Sequence, residues 1–262
     1  MRVGVFDSGL GGLTILRAIV EQVHGVELFY LADTRYAPYG EKSPHEILQR
    51  TLAITEYFLS IHQIDALVIA CNTATSSAIS TLRHRYPQLL IVGTEPALKP
   101  AIEQTHTGAV GVLATPATLQ GDKYQTLADT LSTHRPVTLY EQACAGLVEA
   151  IETNRLTTPQ SLARLEGWLA PMRVGGVDTI VLGCTHYPLA KSVIAQVMQR
   201  EVRLLDSGEA IAKRLLSLLE GVGHHNRGEN RLYLYTTGKI DRAMVSRILP
   251  SYVSLEEIVV EG

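Results

Sequence analysis

Two cysteines carry the clearest chemical potential in this chain. Cys71 stands in Ala70-Cys71-Asn72-Thr73-Ala74, and Cys184 in Gly183-Cys184-Thr185-His186-Tyr187-Pro188, each directly after an apolar run of strand length. Polar side chains follow both where a helix could begin, and Pro188 suits a first helical turn. The positive end of a helix favours negative charge on a nearby sulfur, so a thiol there is readily held as the reactive thiolate. Cys144, in Gln142-Ala143-Cys144-Ala145-Gly146, lacks that setting and reads as a packing residue. Three cysteines in 262 residues argue against a disulfide framework and for a reducing compartment. Metal binding would need more soft ligands at closer spacing, and with neither CxxC nor HExxH present no metal is expected. Nucleophilic catalysis would use one cysteine and leave the other idle. Two-base proton transfer uses both: one thiolate removes a proton from one face of a carbon and the opposite thiol delivers one to the other face. The result is stereochemical inversion.

Other residues could assist. Asp7-Ser8-Gly9-Leu10-Gly11-Gly12 departs from GxGxxG and is followed by no Gly-Lys-Ser/Thr, so a nucleotide site is not expected. Exposed N–H groups in such a loop still suit a small carboxylate. Asp7 is open to two readings, a helix cap or a hydrogen-bond partner for a thiol. The loop from Leu31 to Gly40 follows a strand, where loops line ligand crevices. His224-His225 sits in a polar stretch and reads as a solvated turn. None of the six lysines has an evident Schiff-base setting, so pyridoxal phosphate is not expected.

These residues need elements to hold them. Strand-like runs at 3–6, 27–31, 66–70, 89–92, 110–113, 137–140, 179–182 and 202–205 alternate with helix-period segments at 12–23, 47–61, 76–85, 161–171 and 209–220. Short apolar strands alternating with helices predict an α/β fold with mostly parallel sheets covered on both faces. The tail departs from the alternation: 221–230 reads as a polar loop, 232–236 as a strand and 240–249 as a short helix.

An internal repeat divides the chain. Gly4-Val5-Phe6-Asp7-Ser8 is echoed by Gly111-Val112-Leu113-Ala114-Thr115, 107 positions later. Val68-Ile69-Ala70-Cys71 recurs as Val181-Leu182-Gly183-Cys184 at an offset of 113, and Ile91-Val92-Gly93-Thr94 gives Leu204-Leu205-Asp206-Ser207 at that same offset. Three strand-to-loop junctions thus repeat in order. The expectation is two pseudo-symmetric lobes, residues 1–94 plus 208–262 and residues 95–207, each a mostly parallel sheet flanked by helices. The active site is expected in the cleft between them, with the two thiols about 7–8 Å apart across one carbon.

Charge narrows the partners. Lysine and arginine total 23 against 26 acids, a net charge of −3, which gives no electrostatic footprint for nucleic acid. The N-terminus offers no apolar h-region, since Arg2 is followed by only four uncharged residues before Asp7. The longest apolar runs are too short to span a bilayer. A cytoplasmic protein that binds neither membrane nor nucleic acid is expected.

Phe6-Asp7-Ser8-Gly9-Leu10-Gly11-Gly12, Tyr36-Ala37-Pro38-Tyr39-Gly40, Cys71-Asn72-Thr73-Ala74 and Gly183-Cys184-Thr185-His186-Tyr187-Pro188 resemble the signatures of the bacterial glutamate racemases. The wider family also holds aspartate and hydantoin racemases. The resemblance runs through essentially the whole chain. It implies an isomerase that interconverts L- and D-glutamate without a cofactor and supplies D-glutamate for peptidoglycan, hence cell-wall biogenesis and cell shape. It implies Cys71 and Cys184 as the two bases, Cys71 serving D-glutamate and Cys184 L-glutamate, with Asp7, His186 and Glu152 assisting. Ser8, Tyr39, Gly40, Asn72, Thr73 and Thr185 match the family's substrate contacts, beside Asp7 and His186. A homodimer is compatible with the resemblance. The alternatives are an aspartate or related racemase, and a non-catalytic amino-acid-binding protein, for which a reactive thiol pair would serve no purpose.

Overall fold

The structure, a computed structural model, describes residues 1–249, 251 and 254–260. In chain order the strands and α-helices are β1 (Arg2–Asp7), α1 (Leu13–Gln22), β2 (Glu27–Ala32), α2 (Pro44–Tyr57), β3 (Ala66–Ile69), α3 (Asn72–Arg85), β4 (Leu90–Gly93), α4 (Leu98–Gln104) and β5 (Ala109–Ala114). Then come α5 (Pro116–Leu119), α6 (Asp122–His134), β6 (Thr138–Ala143), α7 (Leu147–Glu152), α8 (Pro159–Val174), β7 (Thr179–Gly183) and α9 (Lys191–Met198). The last are β8 (Arg203–Leu205), α10 (Gly208–Gly221), β9 (Arg231–Thr236), α11 (Arg242–Ile248) and β10 (Ser254–Glu257). Among the described residues the chain divides into two compact units, Met1–Thr94 with Gly208–Gly262 and Glu95–Ser207. No helix among the described residues is long and apolar enough to cross a membrane.

The first unit carries a parallel sheet in the order β10-β9-β2-β1-β3-β4. Val3, Val5, Phe6, Leu28, Leu31 and Leu67 are all buried, as strands covered on both faces require. Helices α1 and α10 pack together with Leu13, Leu16, Ile19, Leu215 and Leu219 inward. Ile47, Ile54 and Phe58 from α2 and its continuation join Ala74, Ala78 and Leu82 of α3 in a core with Phe6, Leu31 and Leu67. Each large apolar side chain so buried contributes about 1.5–3 kcal/mol, which outweighs the weak intrinsic helicity of short segments. Ser43 starts α2 with a capping box: its side chain accepts from the Glu46 N–H, and the Glu46 carboxylate accepts from the Ser43 N–H, with Pro44 in the first turn.

After Tyr57 the helix widens into a π-turn, Phe58–His62. The His62 ring stacks on Phe29 (centroids 4.2 Å apart) and on Tyr235 (5.1 Å). Its Nε2 is buried without a hydrogen-bond partner among the described residues. Burial, with a smaller contribution from the Arg2 charge, lowers its pKa below the ordinary 6.5. The native state therefore resists the proton that the unfolded chain takes up below pH 6.5. His62 supports full stability above that pH, and its contribution falls as the pH drops toward the lowered native value. His62→Phe, which keeps the stack and removes the titration, should flatten the decline in chemical-denaturation midpoint between pH 6.5 and 5. An unchanged slope would exclude this role.

The second unit repeats the arrangement. Its parallel sheet has the order β6-β5-β7-β8, the counterpart of β2-β1-β3-β4. Val3 pairs with Ala66 in the first sheet and Val110 with Thr179 in the second, so these partners are displaced by 107 and 113 positions. Ala66 pairs with Leu90 and Thr179 with Arg203, both displaced by 113. One face is covered by Leu165, Leu169 and Met172 of α8 with Ile194 and Met198 of α9. The other is covered by Leu98 and Ile102 of α4 with Tyr124 and Ala128 of α6. In both sheets the chain lays its second strand on one side of the first and its third on the other. The junctions after β1 and β3, and after β5 and β7, therefore flank a topological switch point, where ligands of open α/β sheets bind.

Candidate active site

In the first unit, β1 ends at Asp7, which is fully buried. Its Oδ2 accepts the N–H groups of Gly9 (3.1 Å) and Gly12 (3.0 Å), so the carboxylate ties down the glycine loop. Gly12 must lack a side chain, since a Cβ there would lie 2.5 Å from the Asp7 Cβ. Tyr30 donates to the Gly9 carbonyl at 2.7 Å and completes the loop's support. These bonds close the loop that leads into α1.

Cys71 follows β3 and is the N-cap residue of α3, with extended backbone (φ −134°, ψ 119°). The sequence predicts this helix only from residue 76; it begins at Asn72, which brings the positive helix end onto the cysteine itself. The Cys71 Sγ lies 4.0 Å from the Ser8 Oγ. Asn72 and Thr73 are buried in the first turn of α3. Tyr39 and Gly40 lie in a 3₁₀ turn, Tyr39–Glu41. The Tyr39 hydroxyl points inward and donates to Asp33 Oδ2 at 2.6 Å.

In the second unit, Cys184 directly follows β7 and is buried. It departs from the expected helix start. The Cys184 carbonyl accepts the Tyr187 N–H at 3.1 Å, a 3₁₀ turn covers Tyr187–Ala190, and α9 begins only at Lys191. Pro188 lies in the first turn of that 3₁₀ segment, where its missing N–H costs nothing. An imidazole stands in for the helix end. His186 Nδ1 is 3.9 Å from the Cys184 Sγ, and its Nε2 is 2.8 Å from Glu152 Oε1 at the end of α7. A carboxylate accepting from Nε2–H leaves Nδ1 facing the sulfur, able to take the thiol proton or to stabilise a thiolate. Thr185 is buried beside them.

Cys144 ends up where packing alone was expected. Its thiol donates to the Gln142 carbonyl, and burial pushes its pKa up to about 12, so it stays a neutral thiol. His224 Nε2–H donates to the His24 carbonyl (2.9 Å), a structural tie in the loop before β9.

One constellation has no counterpart in the sequence reading. Asp33 and Arg50 form a buried ion pair, Nε to Oδ2 at 2.8 Å and Nη2 to Oδ1 at 2.9 Å. Thr237 donates to Asp33 Oδ1 at 2.8 Å. A signal was available: Arg50 falls in phase with Ile47 and Ile54 on the buried stripe of α2, where a charge requires a partner.

Each unit is a parallel sheet flanked by helices, and in each a cysteine follows the strand that pairs with the unit's first, an α/β arrangement repeated within one chain. The Asp/Glu/hydantoin racemase family model matches residues 3–215, and the chain belongs to this family of isomerases. The chain is 59% identical to the glutamate racemase of Sulfurovum sp. (strain NBC37-1), over 96% of this chain and 95% of that one. Escherichia coli glutamate racemase, solved in complex with L-glutamate and the activator UDP-MurNAc-Ala, matches with a TM-score of 0.85 at 32% identity, covering 100% of this chain and 99% of that one. The glutamate racemase of Francisella tularensis subsp. tularensis SCHU S4, solved in complex with D-glutamate, matches with a TM-score of 0.82 at 26% identity, over 99% and 98% of the two chains.

Proposed function

We propose that this protein is a cytoplasmic, cofactor-independent glutamate racemase, supplying D-glutamate for peptidoglycan synthesis, with Cys71 and Cys184 as its two bases. The observation that carries this reading is the equivalence of the two thiols. They follow β3 and β7, which hold the same place in the matching orders β2-β1-β3-β4 and β6-β5-β7-β8. The relatives' names supply the substrate, and solved relatives hold glutamate of either hand.

The chemistry follows from the residues. The Cα proton of glutamate is weakly acidic, and the neighbouring carboxylate makes its removal harder. Hydrogen bonds from Ser8, Asn72, Thr73 and Thr185, with main-chain groups at Tyr39 and Gly40, hold the substrate and offset the developing charge. Cys184, relayed through His186 to Glu152, removes the proton of L-glutamate while Cys71 protonates the opposite face. D-Glutamate reverses the roles. Asp7 keeps Ser8 and the glycine loop in position.

Circular dichroism of purified, dialysed protein with L-glutamate tests the reading. Ellipticity should decay to zero with no added cofactor or metal, and from D-glutamate it should decay to the same point. Persistent ellipticity, or activity lost on chelation and restored by a metal, would overturn it.

A further inference from the structure

Asp33 lies immediately after β2 and is fully buried, and Arg50 is nearly so. Four donors fill the Asp33 carboxylate: Tyr39 Oη and Arg50 Nε on Oδ2, and Arg50 Nη2 and Thr237 Oγ1 on Oδ1. The third guanidinium nitrogen, Nη1, donates to the Val260 carbonyl at 2.6 Å, and the guanidinium lies 4.0 Å over the Tyr36 ring. Thr237 also accepts the Arg35 N–H at 3.2 Å, and Thr34 shares a 2.8 Å hydrogen bond with Thr236. One buried carboxylate thus joins the loop after β2, helix α2, the end of β9 and the tail at Val260. Such a pair gains little stability over apolar packing of the same volume, so its advantage lies in fixing one geometry. What it fixes is the turn bearing Tyr39 and Gly40, at the carboxyl end of the sheet.

We propose that Asp33, Arg50 and Thr237 are positioning residues for substrate binding. They touch no substrate, but they clamp the Tyr39–Gly40 main chain in its binding geometry. The tail at Val260 is part of the same clamp. The proposal rests on the racemase reading above.

Tyr39→Phe and Thr237→Val each delete one hydroxyl donor and leave the buried pair in place, so both should fold. KM for both enantiomers should rise about tenfold while kcat changes less than about threefold, the pattern of lost uniform binding. Amide hydrogen exchange across residues 34–42 should accelerate in the same variants. Thr237→Ser, which restores the hydroxyl, should recover most of the lost affinity and protection. An active wild type whose Tyr39→Phe and Thr237→Val variants keep their KM, even with a lowered melting temperature, would overturn the positioning role alone. A wild type inert on glutamate would overturn the racemase reading, and this proposal with it.

Discussion

Serine at either cysteine should abolish racemisation in both directions. The hydroxyl keeps the shape but is a far poorer base, and every inversion needs a donor on one face and an acceptor on the other. Loss of a positioned acid–base group costs roughly 10²–10⁴-fold, and each variant should fall by at least that in L-to-D and D-to-L assays alike. The two should separate on a glutamate analogue with a leaving group at Cβ, because elimination needs only one base. Cys71→Ser, which retains Cys184, should process the L analogue, and Cys184→Ser the D analogue. If both handle the same enantiomer, or either racemises near normally, two-base transfer is wrong for this protein. His186→Asn and Asp7→Asn should cost less than either cysteine change. On that account neither carries the proton to or from Cα: His186 stands 3.9 Å from the Cys184 sulfur, and Asp7 accepts the Gly9 and Gly12 N–H groups.

Arg50→Ala should be among the most destabilising single changes in the first unit. Among the described residues it leaves the buried Asp33 carboxylate with Tyr39 and Thr237 as its remaining side-chain donors, and it removes the Arg50 donor from the Val260 carbonyl. Removing one member of a buried pair typically costs about 3–5 kcal/mol. For a chain of this size that corresponds to a drop of roughly 10 °C in melting temperature. Arg17→Ala is the control. Arg17 pairs with Glu21 at 3.9 Å with both side chains exposed, and such a surface pair is worth about 0.5 kcal/mol or less. Equal losses from the two substitutions in thermal denaturation would contradict the account of the Asp33–Arg50 pair.

The strands that hold the thiols were legible because buried parallel strands read as continuous apolar runs, and β1, β3, β5 and β7 all do. Their repetition was legible for the same reason, and strand pairing follows the offsets of 107 and 113 seen in the residues. The edges were harder. Ser254–Glu257 forms β10 with two acids in four residues, a pattern suited to a solvent-facing edge and weak as a strand signal. Helix α6 gives a weak sequence signal because, among its described side chains, Tyr124 and Ala128 are the buried ones and most of the rest are polar. The beginning of α2 could have been read from Ser43-Pro44-His45-Glu46, a capping box with proline in the first turn. The unlike surroundings of the two cysteines were not readable from the repeat. Similar strands precede both, but Asn72-Thr73-Ala74 continues as helix and Thr185-His186-Tyr187 as a tight turn. The link from Glu152 to His186 joins residues 34 positions apart, and only folding reveals it.

Isotope labelling in D₂O tests the two-base account most directly. Fully protiated L-glutamate is added to the protein, and deuterium at Cα is followed in both enantiomers over the first few per cent of reaction. If Cys184 removes the proton and Cys71, already exchanged to S–D, reprotonates the opposite face, the first D-glutamate formed carries deuterium while the remaining L-glutamate stays protiated. Starting from D-glutamate, the labelling should appear only in the L product. Deuterium entering the unreacted substrate as fast as the product, or a product that keeps its original Cα proton, would mean that a single base serves both faces.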